Sequence, residues 1–174
     1  MTTDKITLDI IWGKLQATSD EMGVVLAKAS MSPVIYEVLD FACGLCDFKG
    51  EMISVQNGIT IFTGTFTDDV KTIIKKFENN INEGDIFLLN DPHHSGTHLN
   101  DVSVIKPIFV EKKLIAFAIA DAHWADIGGS VPGSMSPQAT EIYHEGVQLP
   151  GIKLYKSGEI QQDIIDIISS NVRF

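Results

Sequence analysis

Two apolar runs separated by almost nothing constrain this chain most. "VSVIKPIFV" (102–110) and "LIAFAIA" (114–120) flank the polar break "EKK". Both have strand length, the second being far too short to cross a bilayer, and together they read as an antiparallel hairpin turning around Glu111–Lys113. With the turn centred on Lys112, Asp101 faces His123 and His98 faces Asp126. Directly opposed residues have Cβ atoms roughly 4.5–5.5 Å apart. The hairpin therefore gathers "THLND" and "AHWAD", each with a histidine three places before an aspartate, at its open end. Residues three apart in a flat strand point to opposite faces. His98 and Asp101 share a ligand only if the chain bends, and Gly96 and the "DIGG" after His123 supply that freedom.

Mixed imidazole and carboxylate donors suit Zn²⁺, Mn²⁺ or Fe²⁺, and a catalytic centre needs about three protein ligands plus an open position. The same spacing suits hydrogen-bonded His–Asp pairs that hold a turn together at a strand end. The remaining histidines are weaker candidates. His93 and His94 sit on the polar loop "HHSGT", and His144 lies in "IYHEG" with Glu141 and Glu145 nearby.

Elsewhere the pattern alternates between helix and hairpin. Ile6, Ile10, Leu15, Met22, Val25 and Ala29 recur at helical spacing from Lys5 to Ala29, with Thr2, Thr3 or Asp4 as cap and Pro33 beyond the end. "FACGLCDFKGEMISV" reads as a hairpin turning at Asp47–Gly50. Its Cys43 and Cys46 form a C-x-x-C that is read as two buried small hydrophobes rather than half a zinc site or a redox pair. Thr67 to Glu78 is a second helix, capped by Thr67, with the stripe Val70, Ile73, Ile74 and Phe77. "GDIFLLNDP" is a buried strand. The end of the chain is a short helix with Ile164, Ile167 and Ile168 on one side. The expected fold is α+β: antiparallel hairpins forming a sheet, flanked by helices, in a single domain over 1–174.

Thirteen basic against 23 acidic residues give a net charge of −10, which argues against nucleic acid or an anionic membrane as partner. The N-terminus lacks the basic start and apolar run of a signal peptide, and two cysteines are too few for a disulfide scaffold. A cytoplasmic location is the expectation.

The motifs "LDFACGLCDFKGEMI", "NDPHHSGTHLNDVSVIKPIF", "AHWADIGGSVPGSMSPQATEIYHEG" and the terminal "NVR" resemble, in this order, the hydantoinase B family. That family includes B subunits of ATP-dependent hydantoinases, oxoprolinases and caprolactamase-type enzymes, and alpha-type subunits of acetone and acetophenone carboxylases. The resemblance implies a divalent metal held among Asp40, His98, Asp101 and His123. It implies Asp126 as a group orienting an imidazole and Glu141 as a residue lining the substrate cavity. It also implies a hydantoinase A-like partner that binds ATP and phosphorylates the substrate carbonyl oxygen. No G-x-x-x-x-G-K-[ST] occurs in this chain. Family chains continue past the "NVR" point, so a fragment, a split subunit working with the rest of a B-type subunit, or a degenerate homologue is expected. A cyclic-amide hydrolase is the first reading, a ketone carboxylase the second, and a non-catalytic assembly module the third.

Overall fold

The hairpin at the centre forms with the expected pairing, but by a different route. In a computed structural model that describes residues 4–56, 60–94 and 96–173, β4 (Asp101–Val110) and β5 (Lys113–His123) are joined by Glu111 and Lys112, both at positive φ (49° and 66°). This two-residue turn with left-handed central residues matches the twist of the strands it connects. It pairs Val110 with Lys113 and Phe109 with Leu114, half a residue away from a turn centred on Lys112. An irregularity between Ile108 and Phe109 then leaves Ile115 without an opposite number, and Ile108 pairs with Ala116. One inserted residue offsets the other displacement. From there to the open end the register is the expected one, finishing with Asp101 opposite His123.

Around this pair the remaining strands add outward. They are β1 (Phe41–Asp47), β2 (Met52–Val55), β3 (Ile86–Leu89), β6 (Pro150–Lys156) and β7 (Glu159–Ile160), and they complete a seven-stranded antiparallel sheet in the order β2-β1-β5-β4-β3-β6-β7. The β1–β2 turn forms at Asp47–Gly50 as expected. Asp47 Oδ1 accepts from the Lys49 and Glu51 backbone N–H groups, and Gly50 takes φ +86°. The helices are α1 (Lys5–Ala29), α2 (Pro33–Tyr36), α3 (Thr60–Thr63), α4 (Phe66–Phe77) and α5 (Gln162–Asn171).

Strand alternation decides which layer each residue joins. Ala42, Cys46, Phe87, Ile105, Phe117 and Ile119 face Phe62 of α3 and Phe66, Val70 and Ile73 of α4. The opposite face carries Phe41, Cys43 and Ala122 against α1 and α2, and Leu88 and Val102 in a cluster with Ile168 of α5. Cys43 and Cys46 therefore lie in different layers, both buried free thiols whose ionisation burial pushes up to about 12. They are packing residues.

Helix α1 has its expected limits, and Asp4 caps it by accepting from the Thr7 N–H at 3.0 Å; Thr2 and Thr3 lie outside the described residues. Its expected apolar face seats on the sheet only in part: Met22, with Leu26 and Ala27, packs against Phe41, Cys43 and Ala122, and Leu15 is half-buried. Ile6, Ile10 and Val25 are exposed, and the buried residues are Ser19 and Gly23. Small size explains the difference: Ser19 Oγ meets Ser54 Oγ at 2.7 Å, and a Cβ on Gly23 would stand 2.2 Å from the Gln56 side chain. Helix α4 starts at Phe66, with Thr65 in the cap position and no side-chain cap bond, so Thr67 is not its cap. Its stripe is the expected one. In α5, Ile164 and Ile168 face the core while Ile167 is exposed. No described helix is long and apolar enough to cross a membrane.

Candidate metal centre

The site forms where the central ladder ends. Asp101 opens β4, His123 closes β5, and the His123 N–H donates to the Asp40 carbonyl at 3.0 Å, which ties in the start of β1. Beyond Asp101 one more cross-strand bond forms, from the Trp124 N–H to the Asn100 carbonyl at 2.8 Å, and the ladder then stops. A turn closes from the Asp101 N–H to the His98 carbonyl at 3.1 Å, so His98 folds back over Asp101 instead of continuing along β5. Buried Asn90 holds this turn from behind, donating to the Leu99 and Val147 carbonyls and accepting from the Leu149 N–H. Asn100 crosses to the other strand, with Nδ2 2.9 Å from the Trp124 carbonyl oxygen.

The result is a carboxylate gripped from three sides. His98 Nδ1 lies 2.7 Å from Asp101 Oδ2 and His123 Nδ1 lies 3.1 Å from Asp101 Oδ1, while Thr97 Oγ1 donates to Oδ2. The two imidazoles tilt against each other with ring centroids 4.9 Å apart. Asp40 Oδ2 stands 3.9 Å from His123 Nδ1. Burial alone would push the Asp101 carboxyl up, yet hydrogen bonds from His123, His98 and Thr97 outweigh it and hold the group down to about 2. The bond to Asp101 correspondingly raises the His98 imidazole above its ordinary value, against the opposing effect of burial.

His98, Asp101 and His123 each offer one ligand atom, all within 4.8 Å of one another. Donors held on one ion at about 2.0–2.2 Å lie at most ~4.4 Å apart, so sub-ångström adjustments would close the three on a cation. Two imidazoles and a carboxylate are a donor set that transition metals accept. The residues fit such an ion.

Beneath the triad lies a polar layer that the sequence reading missed. Ser103 Oγ is 2.8 Å from Asp69 Oδ2 of α4 and 3.0 Å from Asp121 Oδ2 of β5, all three residues being buried. A single hydroxyl proton cannot serve two carboxylates at once. Burial, reinforced by the charges of Asp69 and Asp101, pushes Asp121 up to about 8. The signal was available. Counting in twos from Asp101 and His123 places Ser103 and Asp121 on the same face of the sheet.

Other expected positions are not brought to the triad. His98 does not pair with Asp126, because the chain has turned before reaching it. The Asp126 carboxylate accepts from the Gly128, Gly133 and Arg173 N–H groups and from Arg173 Nη1 at 2.9 Å, with no imidazole among its partners. It clasps the glycine-rich loop to the end of α5 rather than orienting a histidine. Glu141 is exposed at the start of a short 3₁₀ turn, and Glu145 lines the neighbouring cavity instead. His94 is paired with Asp91 at 2.8 Å, and His93 and His94 line a separate cavity with Lys75 and Lys76; Ser95 lies outside the described residues. His144 accepts from the Thr140 N–H within its own turn.

Comparison with known proteins agrees with the family resemblance. The family model described as hydantoinase B/oxoprolinase matches residues 4–174. The chain belongs to this family. It is 36% identical over 172 residues to caprolactamase subunit beta of Pseudomonas jessenii, covering 99% of this chain and 30% of that subunit. The crystal structure of the ATP-dependent caprolactamase from the same organism superposes over the whole chain, and over 30% of its own, with a TM-score of 0.93 and 35% identity. A nucleotide-free acetone carboxylase structure superposes on 98% of this chain and 23% of its own, with a TM-score of 0.91 and 25% identity. The chain thus spans under a third of the length of the relatives it matches.

Proposed function

We propose that this chain carries the metal-binding part of a B-type subunit in an ATP-dependent cyclic-amide hydrolase. His98, Asp101 and His123 hold a divalent ion, Zn²⁺ or Mn²⁺ or else Fe²⁺, and Asp40 is the fourth donor. The observation that carries the reading is the convergence of two imidazoles and a buried carboxylate within 4.8 Å. Membership of a family that includes ATP-dependent caprolactamase supports it. When bound, such an ion polarises a carbonyl oxygen and lowers the pKa of a water molecule.

The chain's own residues prepare that chemistry. Asp101 fixes both imidazoles in orientation through one hydrogen bond each, and Thr97 fixes Asp101. Val34, Ile61 and Phe62 form an apolar wall beside the donors, in a cavity of about 350 Å³. An unactivated amide is a poor electrophile. In the hydantoinase A-like partner its carbonyl oxygen takes a phosphoryl group from ATP, releasing ADP. Beside the donors described here water then adds to the carbonyl carbon, the ring C–N bond breaks with a proton going to nitrogen, and phosphate leaves.

A carboxylase reading uses the same residues, which would then hold an ion able to stabilise enolate charge, and the likeness to acetone carboxylase favours it as the second choice. Reconstitution separates the two. The chain is combined with an A-type subunit and the remaining B-type sequence, then supplied with ATP and either a lactam or a ketone with bicarbonate. ATP-dependent lactam opening is expected, falling at least about a hundredfold in His123→Ala. Undiminished opening by that variant would contradict the proposal, and carboxylation without ring opening would transfer the site to the second reading.

A further inference from the structure

Helix α1 seats on the sheet only from Leu15 onward. Gln16 Nε2 donates to the Val55 carbonyl at 2.7 Å, Ser19 meets Ser54, and Met22, Leu26 and Ala27 pack on the strands. The residues before that, 5–14, are all exposed and form an arm about 15 Å long. Among the described residues none of the arm joins a core cluster. Yet it carries Ile6, Leu8, Ile10, Ile11 and Trp12, with Ile6 73% and Trp12 58% exposed. Residues four apart share a side of a helix. Ile6 and Ile10 therefore lie on one side, Leu8 and Trp12 on the opposite one, and Ile11 between them. A helix that is apolar on every side belongs inside a protein body. Apart from the Asp4 cap, the arm's own composition does little to hold it helical. Gly13 and the β-branched Ile6, Thr7, Ile10 and Ile11 are weak helix formers, and so short a helix draws its stability from packing.

A second copy of this chain covers too little of the arm. Two such arms packed along each other bury one side of each and leave the opposite side in water. The apolar groove further along α1, lined by Met22, Val25, Leu26, Ala29, Cys43 and Ala120, has a volume of about 500 Å³. A helix of that length, a cylinder roughly 10 Å wide, displaces about 1,200 Å³. The enclosing body is therefore larger and offers an apolar channel. The chain covers 30% of caprolactamase subunit beta, so more than two thirds of such a subunit lies outside it. In the caprolactamase chain that superposes on the whole of this one, that remainder belongs to the same polypeptide. Contacts this apolar resemble a domain core cut in two, as permanent partners make them. We propose that the α1 arm is enclosed on all sides by the remaining sequence of a B-type subunit and anchors this chain to it. The inference draws on family membership and the exposed arm, not on the metal donors, so it and the metal assignment can fail separately.

The full chain is co-expressed with an affinity-tagged polypeptide comprising the part of caprolactamase subunit beta outside the region this chain matches. The matched part of that subunit serves as positive control. The chain is expected to be retained as a one-to-one complex. Single Ile10→Cys and Trp12→Cys variants report the two sides of the arm, because the native Cys43 and Cys46 are buried. Both variants are expected to react with a polar maleimide in the chain alone and to lose that reactivity in the complex. The pairs Ile6→Asp with Ile10→Asp, and Leu8→Asp with Trp12→Asp, are each expected to abolish retention. Neither pair is expected to move the urea midpoint of the chain alone, since the arm packs on none of its cores. Retention that survives either pair, or a cysteine on either side that stays reactive in the complex, would overturn the enclosure. No retention of the chain where the control is retained would overturn the proposal outright. So would a dimer of the chain alone, or its capture by an A-type subunit alone, that the same variants abolish.

Discussion

Asp101→Asn is expected to lower the affinity of the chain for Zn²⁺ or Mn²⁺ by at least about a hundredfold. Losing an outer partner of a metal ligand costs roughly 10–100-fold, and here the ligand itself is changed together with the bonds that orient the other two. The substitution is isosteric, so the buried position stays filled. What it removes is the negative charge on which His98 and His123 converge at 2.7 and 3.1 Å. An asparagine has one acceptor oxygen and presents an NH₂ group to the other imidazole. A competition titration with a chromophoric chelator checks the outcome, and an affinity equal to that of the wild type would remove Asp101 from the site. The metal-free chain gives a second signature. The lowered Asp101 value contributes stability that is present above about pH 3.9 and lost as pH falls towards about 2. The raised His98 value contributes stability that is present below about pH 6.5 and lost as pH rises through its elevated value. The triad should therefore stabilise the metal-free fold most between about pH 4 and 6, and Asp101→Asn should flatten that maximum.

Asp85→Ala is expected to destabilise the chain by about 3–5 kcal/mol without touching the metal centre. Asp85 is fully buried beside β3, and its Oδ2 lies 2.7 Å from Lys153 Nζ, itself nearly buried. The same carboxylate accepts from the Ser157 and Asn82 N–H groups. Burial would raise its pKa, but these bonds, led by that of Lys153, keep it below the ordinary range. Lys153 also donates to the Asn80 carbonyl and lies over the rings of Phe77 and Phe87 at 5.4 and 5.7 Å. Truncation leaves that ammonium without its counter-charge and two backbone donors without an acceptor. Urea unfolding of the variant checks the magnitude, and a loss below about 1 kcal/mol would mean that the pair behaves as an exposed one.

Local patterns carried the fold well. The stripe of α4, the Asp47–Gly50 turn and the alternation that separates Cys43 from Cys46 each depend on neighbours a few residues away, and each was legible. The central register was legible at the site for a reason the sequence did not display, since a bulge at Ile115 offsets a turn displaced by half a residue. Long-range competition was not legible. Asp126 stands in the same local frame as Asp101, yet Arg173, 47 residues away, claims its carboxylate. Glu141 and Glu145 both follow the "SMSP" loop, and only the 3₁₀ turn between them decides which one reaches the cavity. On α1 the apolar spacing found Met22, which packs on the sheet, but also included Ile6, Ile10 and Val25, which are exposed, and missed Ser19 and Gly23, whose small size allows the closest approach. Asp40 entered through family resemblance alone. Its place beside His123 comes from β1 pairing with β5, a contact between segments some eighty residues apart.

An anomalous difference map from crystals of this chain grown with Mn²⁺ addresses the metal assignment without any partner or substrate. One strong peak is expected within about 2.0–2.3 Å of donor atoms from His98, Asp101 and His123, with at least one coordination position left to solvent. A map with no peak among these three side chains, or with its only peak at His93 and His94, would contradict the assignment.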